Sequence, residues 1–240
     1  MYMKFIDIVR YFINFFDYFQ QLKILKFFRK NLNKNFIFFD VGAHHGETVK
    51  LFCKNFTIKE VHCFEASPVN FKILKKNMNK NKNNTILNLN HCGVGEDNYS
   101  SYINQTQESS SSTINEFNKN SKYLKKKLRI LNVKEFDNFY NKIPIKIIKL
   151  DDYISENEIK KIDLLKIDTE GFELKVLKGL IKKNNLVKYI YFEHHYDDMI
   201  VKDYTFRDIN SILSSYGFKR VFKSKMYFRK SFEYIFENTI

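Results

Sequence analysis

The stretch FIFFDVGAHHGET, residues 36–48, decides how this chain folds. Its apolar start predicts a buried strand, which ends at the acidic residue Asp40. Gly42 and Gly46 follow, and a helix can begin at Gly46. We expect Gly42 to permit a tight turn and Gly46 to let a ligand approach the free N–H groups of that helix. The spacing differs from the GxGxxG of nicotinamide-binding proteins, and Asp40 would repel a pyrophosphate but suit a cationic group.

A second acidic residue stands at the end of the next apolar run. Glu60–Phe64 leads into Glu65, which lies 19 residues after Gly46. In doubly wound folds an acid at the end of the second strand accepts hydrogen bonds from both ribose hydroxyls. The alternative is that Glu65 complements the dipole of a helix that begins near Pro68. Together with the glycine turn, Glu65 favours a nucleotide-like ligand.

Apolar runs alternate with helical stretches along most of the chain. This alternation predicts βαβ units, and therefore a doubly wound α/β fold with a mostly parallel sheet. The predicted strands are Phe36–Val41, Glu60–Phe64, Thr85–Asn90, Asp163–Ile167 and Tyr189–Phe192, and the predicted helices are Gly46–Lys54 and Pro68–Asn81. Gly217–Lys223 and Lys225–Lys230 are too close together for a crossover helix, so we expect an antiparallel hairpin there.

Two segments depart from this alternation. Residues 4–30 predict one amphipathic helix, whose apolar face carries Phe5, Ile8, Phe12, Phe15, Phe19 and Leu22. That face packs on its own domain, contacts a membrane surface or forms a dimer seam, and we expect a homodimer. Residues 100–143 predict an irregular insertion, either a flexible connector or a lid over a site, with a helix near Lys122–Leu131. We therefore divide the chain into a helical extension, 1–34, and one domain, 35–240.

Further candidate residues follow the later strands, namely Asp168 and Glu170 after one strand and Glu193, His194 and His195 after the next. The carboxyl ends of neighbouring parallel strands meet at one edge of the sheet, where such folds bind ligands. Acid and imidazole groups at that edge suit either deprotonation of a hydroxyl or binding of a divalent metal. Because His194 and His195 are adjacent in a strand, at most one of them points into such a site.

These motifs resemble the FkbM family of methyltransferases. The resemblance runs from about Phe36 to His195 and rests on FFDVGAHHGET, VHCFEASPVNF, LDDYI and DLLKIDTEGFELKVLKG. It implies the fold of class I methyltransferases, a Rossmann-like, seven-stranded sheet whose final hairpin strand runs antiparallel. It also implies S-adenosylmethionine as the cofactor and O-methylation, often of sugars or polyketide-type hydroxyls.

The resemblance also assigns residues to the cofactor. It places Glu65 on the ribose, His91–Val94 near the adenine and Asp168 beside the methyl donor. The residues expected to bind the cofactor are Asp40, Gly42, Ala43, His44, Gly46, Glu47, Thr48, Glu65, Ala66, Ser67, His91, Cys92, Gly93, Val94 and Asp168. His44 and His45 depart from the family, which more often has Asn and an aliphatic residue there, and Ala66-Ser67 replaces its usual Glu-Pro.

For catalysis, we expect His194 or His195 to be the general base and Asp168 to orient donor and acceptor, with Glu170 completing the catalytic set. A divalent metal held by Asp168, Glu193 and His194 is the alternative to a water-bridged acid cluster, and we expect no metal because the family does not in general require one. The expected acceptor is a hydroxyl of a sugar or glycan precursor. The alternatives are an N-methyltransferase for a small acceptor and a non-catalytic assembly subunit that keeps the fold.

The composition narrows the partners and the compartment. The formal net charge is +14, but 35 of the 41 basic residues are Lys. An abundance of Lys and Asn is typical of AT-rich genomes, whereas a phosphate-binding surface favours Arg, so we expect no nucleic acid. Cys53, Cys63 and Cys92 show no paired spacing, and no window of about 20 residues lacks charge. We therefore expect a cytoplasmic protein without a transmembrane segment.

Overall fold

In the computed structural model, which describes residues 19–79, 85–226 and 230–239, ten strands form two sheets. The strands are β1 (Phe36–Val41), β2 (Ile58–Phe64), β3 (Ile86–Asn90), β4 (Gly93–Gly95), β5 (Tyr99–Thr106), β6 (Tyr140–Lys149), β7 (Ile162–Ile167), β8 (Val187–His195), β9 (Phe218–Lys225) and β10 (Ser231–Asn238). Seven of them form the main sheet in the order β3-β2-β1-β7-β8-β10-β9. The first five of these strands pair in parallel, and β10 is antiparallel to both its neighbours. This is the doubly wound sheet that the sequence predicts.

The described residues form seven helices, and six of them pack on the two faces of the main sheet. The helices are α1 (residues 19–31), α2 (Glu47–Asn55), α3 (Pro68–Met78), α4 (Lys122–Ile130), α5 (Leu150–Glu156), α6 (Glu173–Lys178) and α7 (Phe206–Ser215), with 3-10 turns at Phe136–Asn138 and Asn184–Leu186. Apolar side chains of α1, α2 and α3 pack on one face, and those of α5, α6 and α7 pack on the other. Because both faces are covered, every residue of β1 is buried.

The second sheet overlaps both ends of the segment predicted to be an irregular insertion, residues 100–143, because β5 ends at Thr106 and β6 begins at Tyr140. In the order β4-β6-β5, β6 is parallel to β4 and antiparallel to β5. β5 resembles a loop in sequence because its buried end is polar. Asn104, for example, exchanges backbone hydrogen bonds with Thr113 and donates its side-chain amide to the Asn115 carbonyl at 2.8 Å. The predicted helix near Lys122–Leu131 agrees with α4.

The C-terminal hairpin is antiparallel as predicted, but its second strand was placed wrongly. β10 begins at Ser231, whereas the sequence predicted a strand over Lys225–Lys230. The segment KMYFRK, residues 225–230, contains two aromatic residues and no Gly or Pro, so nothing in it marks a turn. β10 then lies between β8 and β9, and its apolar residues Tyr234, Ile235 and Phe236 are buried in the sheet.

The described part of α1 packs on the sheet through a different face from the one predicted. Ile24, Leu25 and Phe28 are buried, whereas Phe19 and Leu22 are 44% and 36% exposed. The other residues of the predicted seam, Phe5, Ile8, Phe12 and Phe15, lie outside the described residues. Within the described ranges, no helix combines the length and the apolar character needed to cross a bilayer.

Candidate functional site

The loop between β1 and α2 forms the floor of the site. Gly42 has a φ of 81°, and a β-carbon on it would lie 1.8 Å from the backbone oxygen of Asp168, so glycine is needed there for both reasons. Gly46 also has a positive φ, but an added β-carbon would meet Met78 and Leu74 of α3 at 2.5 and 2.9 Å. Gly46 therefore permits close packing against α3. The sequence predicts that a ligand approaches Gly46, but Gly46 does not line the cavity above this loop.

Glu65 is fixed at the end of β2 by two backbone groups. Its Oε2 accepts the N–H of His44 at 2.7 Å, and its Oε1 accepts the N–H of Ser67 at 2.9 Å. The side chain is 6% exposed. Burial raises the pKa of Glu65 to about 7, and these hydrogen bonds oppose the rise. The Glu65 carboxyl group is thereby held against the loop between β1 and α2.

A cavity of about 230 Å³ opens above this loop. Most of the expected cofactor residues line it, namely Gly42, Ala43, His44, Glu47, Thr48, Glu65, Ala66, Cys92, Gly93, Val94 and Asp168. The carboxyl ends of β1, β2 and β7 thus meet around one space, as the position of the motifs predicts.

Four expected cofactor residues lie outside the lining. Gly46 packs on α3, and Ser67 caps α3 by accepting the N–H of Asn70 at 3.1 Å. His91 stacks on Phe71, with ring centroids 4.8 Å apart. Asp40 is 1% exposed and contacts a lysine beneath the loop. These four support the walls of the cavity from behind.

The lysine is Lys166, a residue of β7 that sequence reasoning left without a role. Its ammonium lies 3.5 Å from Asp40 Oδ1 and 3.1 Å from Asp168 Oδ2. Burial alone would lower the pKa of Lys166, but the charges of Asp168 and Asp40 outweigh it and raise that pKa. Asp40 therefore neutralises a buried lysine, and the interpretation that it faces a cationic ligand is wrong.

A lid from the second sheet was only partly predicted. Ile103 of β5, and Ser109, Ser112, Thr113 and Ile114 from the turn after it, line the cavity opposite the glycine loop. Two hydrogen bonds join the lid to the loop after β7. Thr113 Oγ1 donates to the Glu170 carbonyl at 2.7 Å, and Asn115 Nδ2 donates to the Gly171 carbonyl at 2.6 Å. The signal in the sequence was the polar run at Ser109–Ser112, which the lid alternative anticipated.

His195 lies among three carboxylates. Its Nε2 is 3.7 Å from Glu170 Oε2 and 3.6 Å from Glu193 Oε1, and its Nδ1 is 3.5 Å from Asp197 Oδ2. Burial lowers the pKa of His195, but these acids outweigh it and raise it to about 10. A histidine that stays protonated at neutral pH cannot accept a proton, so the structure argues against His195 as the general base.

Glu170 lines the cavity, whereas neither His194 nor His195 does. It lies there beside Asp168, and its backbone has a φ of 50°. Burial raises the pKa of Glu170 to about 7, while the charge of His195 opposes the rise. A carboxyl group that titrates near neutral pH can take a proton from a ligand and release it again.

His194 points to the other face of the sheet and does not line the cavity. Its ring lies among Tyr196, Tyr204 and Phe206, with centroid distances of 4.7, 6.0 and 5.7 Å. Burial lowers the pKa of His194 to about 4. His194 is therefore neutral at pH 7, but its side chain lies on the face of the sheet away from the cavity, so it cannot serve as the base.

The proposed metal ligands Asp168, Glu193 and His194 are not brought together, because His194 faces away from the other two. Among the described residues, the group with metal-ligand spacing is instead His44, His45 and Glu47, whose ligand atoms lie within 4.8 Å of one another. The two imidazoles stack with centroids 3.7 Å apart and an interplanar angle of 21°. An ion in the plane of both rings would require them to turn apart.

A seven-stranded sheet of this order, with a glycine loop after β1 and an acid after β2, defines a class I methyltransferase fold. The family described as "Methyltransferase FkbM domain" matches residues 40–220. The chain belongs to the FkbM methyltransferase family. Membership also identifies the cofactor, since the donor of this class is S-adenosylmethionine, and the acid-lined cavity suits its sulfonium and ribose.

Two solved structures share the fold. Magnesium protoporphyrin IX methyltransferase from Synechocystis PCC 6803, solved with bound S-adenosylmethionine, has a TM-score of 0.53 at 10% identity, covering 100% of this chain and 86% of its own. Methyltransferase FkbM from Methylobacillus flagellatus KT has a TM-score of 0.51 at 17% identity, covering 84% of this chain and 43% of its own. This chain thus corresponds to less than half of the latter. No curated protein matches the sequence.

Proposed function

We propose that this protein is an S-adenosylmethionine-dependent O-methyltransferase that acts on a hydroxyl of a sugar or glycan precursor. The observation that carries the proposal is the position of Glu170. Its carboxyl group lies in the wall of the donor cavity beside Asp168, with a pKa raised by burial to about 7. Hydroxyl acceptors need a base of this kind, because they must lose a proton as the methyl group arrives.

The lining of the cavity supports a specific orientation of the cofactor. Glu65 would accept hydrogen bonds from the ribose hydroxyls, and the backbone of Cys92–Val94 would flank the adenine. Asp168 would lie toward the methionine end, next to the residues that receive the acceptor. The bound cofactor supplies a methyl group that its sulfonium has already activated, so the protein contributes alignment and proton removal.

Three parts of the chain would then act on the acceptor. Glu170 takes the hydroxyl proton, and the protonated His195, 3.7 Å from Glu170, stabilises the carboxylate before transfer. The lid residues Ser109–Thr113 limit the access of water to the cavity. The free thiols of the three cysteines fit a reducing, cytoplasmic compartment.

The test is methyl transfer by the purified chain with S-adenosylmethionine and a panel of hydroxyl-bearing and amine-bearing sugars. We expect calorimetric binding of S-adenosylhomocysteine and formation of a methyl ether, identified by mass spectrometry of the product. Methylation at nitrogen alone would overturn the O-methyltransferase assignment. Absence of S-adenosylhomocysteine binding would overturn the enzymatic function and favour the assembly-subunit alternative.

A further inference from the structure

On one face of the main sheet, the side chains change from apolar to charged toward the donor cavity, the cavity above the loop between β1 and α2. On the side that faces α1 and α2, the strands carry apolar or tyrosyl residues in one half and charged residues in the other. The first set is Phe38, Leu164, Tyr189, Tyr191 and Ile235, and the second is Asp40, Lys166, Glu193 and Glu233. Asp40 lies beside Lys166 and Glu193 lies beside Glu233, but Lys166 pairs with Tyr191, so that Glu193 lies two residues further along β8. The charged residues thus form a row across four strands that steps by two residues between β7 and β8.

A second cavity, of about 160 Å³, lies between this row and the helices α1 and α2. It shares Thr48, Lys166, Asp168 and Glu193 with the donor cavity, so the two spaces meet at the residues beside the methyl donor. Its other walls are mainly apolar, being formed by Ile24, Leu25, Leu51, Phe52 and Met226. A ligand in the second cavity would therefore reach the donor while its remaining surface is buried.

Glu233 forms the deep acidic wall of the second cavity and is 6% exposed. Its Oε1 accepts the hydroxyl of Tyr191 at 2.5 Å, whereas its Oε2 is buried without a hydrogen-bond partner among the described residues. Directly opposite on β8, Glu193 Oε1 is also buried without a hydrogen-bond partner among the described residues, but it lies 3.6 Å from Nε2 of the protonated His195. Burial raises the pKa of Glu233 to about 8, and the charge of Glu193 adds to the rise.

Glu193 has the protonated His195 beside it, whereas the described lining of the second cavity offers no ion-pair partner to Glu233. Lys166 is the one basic residue of that lining, and the ammonium is already paired with Asp40 and Asp168. A buried carboxyl group such as Glu233, with one unused oxygen and a second acid opposite, costs free energy in the empty protein. Such an arrangement is typical of a site whose ligand brings the missing donors and the missing charge.

We propose that the second cavity is the acceptor subsite, and that Glu193 and Glu233 bind a protonated amino group which the acceptor carries near its reactive hydroxyl. The acceptor class is then an amino sugar. An ammonium group supplies three donors, which suit the unused oxygens of Glu233 and Glu193, and one positive charge, which would favour the ionised form of Glu233. A neutral sugar would satisfy the donors but not the charge, and a phosphate would be repelled. This inference rests on the proposed function, because it names the substrate class of the same site.

The test compares D-glucosamine with D-glucose, both titrated into the chain saturated with S-adenosylhomocysteine at pH 7. We expect glucosamine to bind at least tenfold more tightly than glucose. Glu233→Gln should remove this preference while leaving S-adenosylhomocysteine binding within about threefold of the parent. Glu237→Gln is the matched control, since Glu237 lies on the same strand and accepts the hydroxyl of Tyr189 at 2.6 Å, but does not line the cavity. The Glu237→Gln protein should prefer glucosamine over glucose by the same factor as the parent.

A second variant tests the same contact in case the Glu233→Gln protein does not fold. Tyr191→Phe removes the hydroxyl that occupies Glu233 Oε1, so the preference for glucosamine should increase at least twofold. Equal binding of the two sugars by the parent, or a preference that survives Glu233→Gln, would overturn the inference. Methylation of neutral sugars without an amine preference would do the same and leave the O-methyltransferase function standing. Loss of S-adenosylhomocysteine binding by the parent would instead overturn the function.

Discussion

The backbone carbonyl of Asp168 occupies the space that a side chain on Gly42 would need, since an ideal β-carbon there lies 1.8 Å from the oxygen. The carboxyl end of β7 and the glycine loop after β1 are therefore in direct backbone contact. This contact sets how close Asp168 comes to the loop between β1 and α2. Neither backbone can move away without separating β1 from β7, which pair over Phe38–Val41.

Gly42→Ala should therefore be severely destabilising. The substitution combines a positive φ with overpacking against backbone, and we expect the free energy of unfolding to fall by about 2–4 kcal/mol. Urea denaturation measures this loss. Gly217→Ala is the control, because Gly217 has a similar φ of 86° at the turn before β9, away from Asp168. Equal losses in the two variants would show that the contact with Asp168 contributes nothing.

Glu65→Ala should weaken the binding of S-adenosylhomocysteine by about 10- to 150-fold, because hydrogen bonds from the ribose to a charged group are lost. Isothermal titration calorimetry measures the change. Glu60→Ala on the same strand removes an acid that bonds to Asn88, outside the cavity, and should leave the affinity unaltered. Parent-like affinity in Glu65→Ala would contradict the assignment of Glu65 to the ribose.

Glu170→Gln should lower kcat by about 10²–10³-fold and leave donor affinity within threefold of the parent. The pH profile provides the specific readout. A base must be deprotonated, and the pKa of Glu170 is about 7, so the rate of the parent should rise as pH increases through 7. The variant should lose this rise. Glu116→Gln, at an exposed ion pair with Lys142, is the control and should keep the parent profile.

The buried parallel strands could be predicted because each is a continuous apolar run that ends in an acid or a glycine. The second sheet could not, because side chains such as Asn104 are buried there through hydrogen bonds that depend on partners distant in sequence. The candidate site shows the same division. The motif residues Glu65 and Asp168 were predicted in place, whereas the protonation of His195 depends on the carboxylates that folding assembles around it.

Glu233 was missed because the last strand was placed six residues too early in the sequence, at Lys225 instead of Ser231. The available signal was the segment SFEYIFEN, residues 231–238, where single acidic residues interrupt an aromatic and aliphatic run. An acid at such a position is costly unless it is paired or functional. The sequence shows that Glu233 lies in an apolar segment, but it does not show that Glu233 pairs across the sheet with Glu193.

The proposed dimer seam leads to a prediction about truncation. Deleting residues 1–30 would also remove Ile24, Leu25 and Phe28 from the core. Such a deletion would affect folding as well as assembly, so the two effects could not be separated. Deletion of residues 1–18 avoids this, and we expect it to convert a dimeric parent into a monomer, measured by light scattering. A truncated protein with the parent mass, or a parent that is itself monomeric, would contradict the dimer.

The position of β10 has a consequence for the order of folding. β10 follows β9 in the chain but lies inside the sheet, so β9 joins β8 only through it. Gln20 of α1 in turn donates to the carbonyl of Lys225 in β9, a contact that spans 205 residues of sequence. Contacts of such separation carry the largest loop-closure entropy and form late. The pairing of β10 with β8 covers a strand edge that would otherwise be unpaired, and unpaired edges promote aggregation, so the C-terminal hairpin protects the main sheet.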